Sequence, residues 1–470
     1  MKFKNRFFFI NGMIFCFLLA TVAVLSADSA ATFNAPVQVT PDPGKGYEPS
    51  MVVDRFGNIF ATAHKENWQL VLGPDPNSPT QTRSMSWAWT SVNGGKTFGN
   101  IPGLTTLSLE QHEFGDEGDM ALDDADHLYY VDTNVADDTI TRWNVTGPGT
   151  SYMTIDYTRP LIPSMQLVDD RPWVTAHGDG HVFYIGNEGD KVTYPFGQGQ
   201  GSGFGPGRYT VYSSYDGGLN FDSRGYTLRD SGWCRPEADH RPGSKYVLVV
   251  CGNDGGSNDV YTPNNPKGSL YAYVSSDDGH TFERYNVGSY QSFDNTFSWP
   301  TVAIGPDGTF WALYVDAGQL DPTTCGTDPF GVTSCDPTSN RLVLYRSTDN
   351  GKTWKSQNIT PLLGRYRYGW IALSKDGKRI GIGVYYKPSD ATTPWRVYGA
   401  IWTPGQKPVL VSLDQQNPVA SATSEPPGDY MNSYFNPDGT LNVIWTRTDP
   451  PVGGLVNLSR TILFAKSKTK

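Results

Sequence analysis

The segment Ser347-Thr-Asp-Asn-Gly-Lys-Thr-Trp354 decides the fold, because the chain repeats it. Ser275-Ser-Asp-Asp-Gly-His-Thr-Phe282 follows the same pattern. So do Ser214-Tyr-Asp-Gly-Gly-Leu-Asn-Phe221 and Ser91-Val-Asn-Gly-Gly-Lys-Thr-Phe98, with Asn220 in the Thr place of one and Asn93 in the Asp place of the other. The pattern suits a tight β-turn: Ser and Asp side chains bond backbone N–H groups across it, and Gly supplies a positive φ. The closing aromatic pins the hairpin to a core. Repetition at a steady interval marks a modular architecture in which each unit packs on its neighbours.

The interval counts the units. Ser214 to Ser275 is 61 residues, and Ser275 to Ser347 is 72. Ser91 to Ser214 is 123, or two such steps, so one unit lacks a recognisable box. The 116 residues after Trp354 accommodate two more units, and one precedes Phe98, giving seven. A second register agrees. Each unit opens with a short strand, a polar turn and a second strand, as in Glu48-Pro-Ser-Met-Val-Val-Asp-Arg-Phe-Gly-Asn-Ile-Phe60 and Trp299-Pro-Thr-Val-Ala-Ile-Gly-Pro-Asp-Gly-Thr-Phe-Trp311. Other openings fall near Glu117, Arg171, Arg235, Tyr368 and Tyr430, so successive gaps are 69, 54, 64, 64, 69 and 62. Four short strands per unit at this period predict an all-β fold, a single β-propeller of about seven four-stranded blades. After Tyr430 there is room for only three strands. Asn34 to Thr40 is expected to supply the fourth and close the ring. The runner-up is a six-bladed ring in which the boxless unit near Glu117 is an insertion.

In a propeller the innermost strands line a central channel, and their first residues surround its mouth. Aligning the openings puts Glu48, Glu117, Arg171, Arg235, Trp299, Tyr368 and Tyr430 on that rim. Two places further, on the same side of each strand, stand Ser50, Asp119, Trp173, Glu237, Thr301, Trp370 and Asn432. Asp116, Asp170, Arg367 and Asp429 come just before the rim. This convergence of acids, arginines and aromatics is what a carbohydrate site needs: ring faces for sugars, arginines for a carboxylate or sulfate, and carboxylates for proton transfer. Tyr430, beside Asp429 and close to Glu425, has the setting of an activated nucleophile.

The repeated octapeptide resembles the Asp-box of the sialidase superfamily, and the resemblance spans nearly all of the chain after residue 30. It implies that the box joins the two outer strands of a blade and is structural. It also implies a site with three arginines clamping a substrate carboxylate, a tyrosine nucleophile partnered by a glutamate, and an aspartate acid/base. Arg171, Arg235 and Arg367 match the clamp, Tyr430 the nucleophile, and Asp116 or Asp119, with Glu117 between them, the acid/base. Glu48, Glu237, Trp173, Trp299, Tyr368 and Trp370 complete the expected substrate-binding surface. The chain departs from the family at Glu48-Pro49, which stands where an arginine-Ile-Pro motif is expected.

The function expected from this combination is a secreted sialidase-like propeller acting on or binding acidic glycans, with glycoside hydrolysis as its reaction. The alternative is a non-catalytic glycan- or protein-binding propeller at the cell surface, favoured by the missing motif and the spare Trp173, Trp299 and Trp370. A uronate lyase would cast His177 and Tyr430 as bases beside Arg171 and Arg235. The structural reading has Arg171 and Arg235 pairing with Asp170, Glu237 or Asp239 to tie blades together. No cofactor is expected, apart from a calcium reading of Asp116, Glu117 and Asp119. The adjoining Asp123-Asp-Ala-Asp126 aligns with Asp54-Arg-Phe-Gly-Asn58 and reads as turn chemistry.

Lys2, Lys4 and Arg6, an apolar run from Phe7 to Val24, and small residues from Ser26 to Ala31 have the layout of a secretory signal peptide. Residues 1–30 are therefore expected to be removed, leaving 31–470 as the propeller. A cut before Asp28 changes the net charge from −10 to −13. That acidity disfavours nucleic acid and anionic membrane surfaces, so the expected partner is a glycan or another extracellular ligand. The expected location is secreted, periplasmic or cell-surface. Four cysteines remain, an even number that suggests two disulfides. Of three pairings, position favours Cys234 with Cys251, which bracket a hairpin, and Cys325 with Cys335, which bracket a Gly/Pro/Asp loop.

Overall fold

Each opening segment forms the innermost strand of a radial four-stranded antiparallel sheet, and seven such sheets make a β-propeller. The computed structural model describes residues 30–40, 46–64, 86–103, 117–133, 138–161, 172–188, 208–228, 234–253, 268–290, 299–320, 326–327, 333–334, 337–423, 426–428, 430–448 and 460–469. Among them no helix is long and apolar enough to cross a membrane.

Blade I comprises Tyr47–Val53, Ile59–His64, Trp87–Ser91 and Gly99–Asn100, from the axis outward. Blade II comprises Glu117–Leu122, His127–Thr133, Asp138–Val145 and Met153–Pro160. The boxless unit is thus a complete blade, and the ring has seven, not six. Blade III holds Trp173–His177, His181–Glu188, Arg208–Ser214 and Tyr226–Leu228; blade IV holds Cys234–Ala238, Val247–Asn253, Gly268–Ser275 and Glu283–Tyr290. Blade V holds Thr301–Ile304, Phe310–Leu320, Pro337–Ser347 and Lys355–Asn358; blade VI holds Arg365–Leu373, Ile380–Lys387, Arg396–Trp402 and Val411–Ser412. Blade VII takes Asn432–Phe435, Leu441–Thr448 and Arg460–Lys466, and its outer strand is the N-terminal Val37–Gln38. Val37 pairs with Phe464 and Gln38 with Leu463, closing the ring as the strand count required.

The four repeated octapeptides are the turns between the third and fourth strands of blades I, III, IV and V. In blade V, Ser347 Oγ donates to Asp349 (2.8 Å) and accepts from Gly351 N (2.9 Å). Asp349 then accepts from the Thr353 backbone and hydroxyl at 2.9 and 2.6 Å. Blade IV repeats this with Ser275, Asp277, Gly279 and Thr281 at 2.6–2.9 Å. The glycine has a second duty. A Cβ on Gly95 would lie 2.1 Å from the Phe464 ring, and one on Gly279 2.5 Å from the Phe183 ring. Each turn therefore presses bare backbone onto the preceding blade.

Nearer the axis, neighbouring blades are tied by side chains of the inner strands. Thr175 Oγ1 accepts from Ala238 N at 2.9 Å, and Thr301 Oγ1 accepts from Ile371 N at 3.1 Å. Ser433 Oγ donates to the Trp370 carbonyl at 2.7 Å. Among the described residues, six clusters of buried apolar side chains lie between these ties, drawing on adjacent blades. Cys234 and Cys251, directly opposed in the first pair of blade IV, form a disulfide. Cys325 and Cys335 lie outside the described residues; the residues beside them pair as a small hairpin, Gly326 with Ser334 and Thr327 with Thr333.

Candidate functional site

Period-two alternation carries Asp119, Trp173, Arg235 and Trp370 toward the same level of the channel. There they join in one cluster. Asp119 is fully buried and accepts from Arg235 Nη1 (2.8 Å), Val174 N (3.1 Å) and Ser50 Oγ (2.5 Å), contacts to three other blades. The Arg235 guanidinium lies between two indoles, 4.3 Å from the Trp173 ring centre and 4.7 Å from that of Trp370. Trp299 and Tyr430 meet Trp173 edge-on at 5.4 and 4.9 Å. Stacking of a cation on indole faces suits the planar guanidinium. Of the three arginines that the sequence offers as a clamp, Arg235 thus contacts two of the expected platform indoles, Trp173 and Trp370; Trp299 and Tyr430 join the cluster through Trp173, and all four rings are buried.

Below this cluster the channel opens into a cavity of about 570 Å³, with Arg235 and Trp370 in its roof and Glu237 in its wall. It extends to the hairpin turns that carry Asp54, Asp124, His240 and Lys375. Burial pushes the Glu237 carboxyl up to about 7, against the pull of His240 and Arg235. Asp239, two residues on, is held below its ordinary value by hydrogen bonds from Arg241 and Ser244, which outweigh its desolvation. The entrance is charge-balanced: His240 pairs with Asp124 at 2.8 Å, Arg241 with Asp239 at 2.6 Å and Arg55 with Asp126 at 2.5 Å.

The mouth where the inner strands begin has different features. Glu48 and Tyr368 have φ values of 53° and 52°, in the left-handed region that non-glycine residues rarely occupy. Each sits at an irregularity in the first strand pair of its blade, and such bulges re-aim side chains. Glu48 Oε2 lies 3.0 Å from His64 Nε2, with both side chains buried. Close by, Asp132 accepts from Ser86 Oγ at 2.7 Å, and burial lifts its carboxyl to about 7 although Ser86 and Tyr130 donate to it. Sequence reasoning missed Asp132 because it lies near the end of a second strand, His127–Thr133, away from the aligned openings. Its one signal was a carboxylate in an apolar run, Leu128-Tyr-Tyr-Val-Asp132.

Other expected site residues are placed as follows. Arg367 is buried in the inner strand of blade VI, opposite Tyr385, and the Tyr368 ring meets that of Tyr385 edge-on at 5.9 Å. Glu117 pairs through its backbone with Thr133. Asp116, Arg171, Asp170, Glu425 and Asp429 lie outside the described residues. Of the acids read for calcium, Asp119 is occupied by Arg235.

No family model and no curated protein matches this chain. Among solved structures, a protein of unknown function from Dyadobacter fermentans is similar at 13% identity and a TM-score of 0.47, over 94% of this chain and 100% of that one. An alpha-L-arabinofuranosidase from Fusarium graminearum, solved with an iminosugar inhibitor, is similar at 12% identity and a TM-score of 0.43, over 92% and 97%. A mutant NanB sialidase from Streptococcus pneumoniae is similar at 10% identity and a TM-score of 0.42, over 95% of this chain and 72% of that one.

Proposed function

We propose that this propeller binds an acidic glycan in its central channel and hydrolyses it there, with Glu237 as general acid. The observation that carries this reading is a carboxyl titrating near 7 in the wall of a 570 Å³ cavity roofed by Trp370 and Arg235. A pocket that combines aromatic surface, a cation and a perturbed acid is where a ligand and proton transfer are expected to meet. Glu237 protonated near neutrality and Asp239 ionised beside it give the split that acid/base chemistry on sugars uses. The N-terminal layout of Lys2, Lys4, Arg6 and the following apolar run supports export, which would bring the protein to extracellular glycans.

A second reading, binding without catalysis, is favoured by the Arg235 charge being matched by Asp119. One experiment separates the two. Purified protein is offered fluorogenic sialosides and arabinosides and a panel of uronic-acid polysaccharides, beside Glu237→Gln. Product that disappears in Glu237→Gln with the fold intact supports hydrolysis. Saturable glycan retention without product, weakened by Trp370→Phe, supports binding alone. Product that persists in Glu237→Gln, or neither product nor retention, overturns the proposal.

A further inference from the structure

The first hairpin of blade III reads His177-Gly-Asp-Gly-His181; its two histidines are directly paired across the strands, and their rings meet edge-on at 5.3 Å. Both reach one carboxylate on the neighbouring blade: His177 Nε2 lies 2.8 Å from Asp278 Oδ1, and His181 Nδ1 lies 2.8 Å from Asp278 Oδ2. Asp278 occupies the fourth place of the blade IV octapeptide, where the other copies have Gly94, Gly217 and Asn350. All four residues there have positive φ, 67° for Asp278, so that place favours glycine or asparagine. Here it carries a charge, and both oxygens are used.

The surroundings are fixed before any ligand arrives. Gly178 N donates to Asp124 at 2.7 Å and Gly180 N to Asp123 at 2.9 Å, which anchors the hairpin to blade II. The Gly180 carbonyl accepts from Gly217 N at 2.8 Å, and the Tyr215 hydroxyl donates to the Asp278 carbonyl at 2.7 Å. His177 is buried, while the His181 side chain is 33% exposed and opens the cluster to solvent. The three ligand atoms lie within 4.8 Å of one another. A tetrahedral ion with ligand bonds of about 2.0–2.1 Å sets its ligands about 3.3 Å apart. The two imidazole–carboxylate contacts, at 2.8 Å, would each lengthen by roughly half an ångström to exchange a shared proton for a metal.

We propose that His177 Nε2, His181 Nδ1 and Asp278 bind one divalent transition-metal ion, zinc being the best fit. Two neutral imidazoles and a carboxylate suit borderline metals over calcium or magnesium. Three protein ligands leave a fourth position to water on the His181 side. The ion staples the axial turn of blade III to the outer turn of blade IV, independently of the channel chemistry. A nearby group of Asp123, His127 and Asp179 makes the contrast clear. Asp123 already accepts from Ala125 N, His127 N, Gly180 N and the Tyr129 hydroxyl, so it has little left to offer an ion.

The test uses tag-free, chelator-treated protein titrated with zinc by calorimetry and with cobalt by visible absorption. One equivalent should bind, with cobalt showing the absorption of a low-coordinate site and zinc raising the melting temperature. His181→Ala should lose all three signals. Asp278→Asn, which retains a residue type that blade V accommodates at this place, should keep the fold and lose the one-equivalent transition. Absence of binding to the wild type, or identical titrations for the variants, would show that the imidazoles only donate hydrogen bonds to the carboxylate.

Discussion

Replacing Arg235 by Ala should be among the most damaging single changes in this ring. The side chain is 11% exposed and its partner Asp119 is fully buried. Truncation leaves a buried carboxylate with two neutral donors, Ser50 Oγ and Val174 N. Removing one member of a buried ion pair costs about 3–5 kcal/mol. Two indole faces, at 4.3 and 4.7 Å, lose their cation as well, each contributing about 0.5–2 kcal/mol. Relaxation of the emptied slot offsets part of this, so a loss of about 4–6 kcal/mol is expected. The pair Asp119→Asn with Arg235→Met should recover most of it, because the amide oxygen still accepts from Val174 N, its NH2 group donates to Ser50 Oγ, and the thioether fills the gap between the rings. Urea unfolding followed by tryptophan emission reads the transition, three of the thirteen indoles lying in this cluster; near-ultraviolet dichroism should give a coincident transition. A loss below about 1 kcal/mol for Arg235→Ala, or simple additivity in the pair, would refute the view that this contact holds the blades together.

Gly95→Ala and Gly279→Ala meet neighbouring rings at 2.1 and 2.5 Å, whereas Gly405, also with positive φ, has no atom within 4 Å. Thermal melts should show the first two losing about 1–3 kcal/mol more than Gly405→Ala; equal losses would mean that only backbone conformation matters. The folded values of about 7 for Asp132 and Glu237 exceed their ordinary 3.8 and 4.5, so the folded state keeps protons that the unfolded chain has released. Stability should therefore fall as pH rises from about 4 to 7, by up to about 1.4 kcal/mol per unit for each group, and level off above. Asp132→Asn should remove one share of that slope, and an unchanged profile would contradict it. Cys234→Ala with Cys251→Ala, opening a loop of sequence separation 17, should cost about 2–3 kcal/mol by urea melting. No loss would leave the bridge without a stabilising role.

Much of the architecture was legible because turn chemistry is local. The octapeptide carries its own hydrogen bonds, so its spacing, with the length left after Trp354, counted seven blades although only four carry it. The closing strand was legible from a shortage, three strands after Tyr430 where four were needed. The inner-strand positions were legible too, and Asp119, Trp173, Arg235, Trp370 and Tyr430 do meet. Their mutual saturation was not legible, because alignment shows which residues approach the axis but not whether they face a ligand or one another. Asp278 shows the limit best. In sequence it is one more turn residue; its chemistry comes from His177 and His181, about a hundred residues earlier, on a blade that only the assembled ring places beside it.

The seam at Val37 and Phe464 gives this molecule a direction in time. Those partners stand 464 − 37 = 427 residues apart, and joining such distant points in a featureless chain costs about 5 kcal/mol in closure entropy. Six blades folded in sequence bring the ends together beforehand, so most of that cost is met step by step. The strand Val37–Gln38 must nevertheless wait for a partner synthesised 464 − 37 = 427 residues later. While the chain is being synthesised, Arg460–Lys466 does not yet exist, and Val37–Gln38 has no edge to join. Every shorter nascent form is an open arc that leaves exposed the apolar face which blade I buries against blade VII in the closed ring, a surface prone to association with another chain. Completion of the circle is therefore a single late event, and its rate sets how long that arc persists.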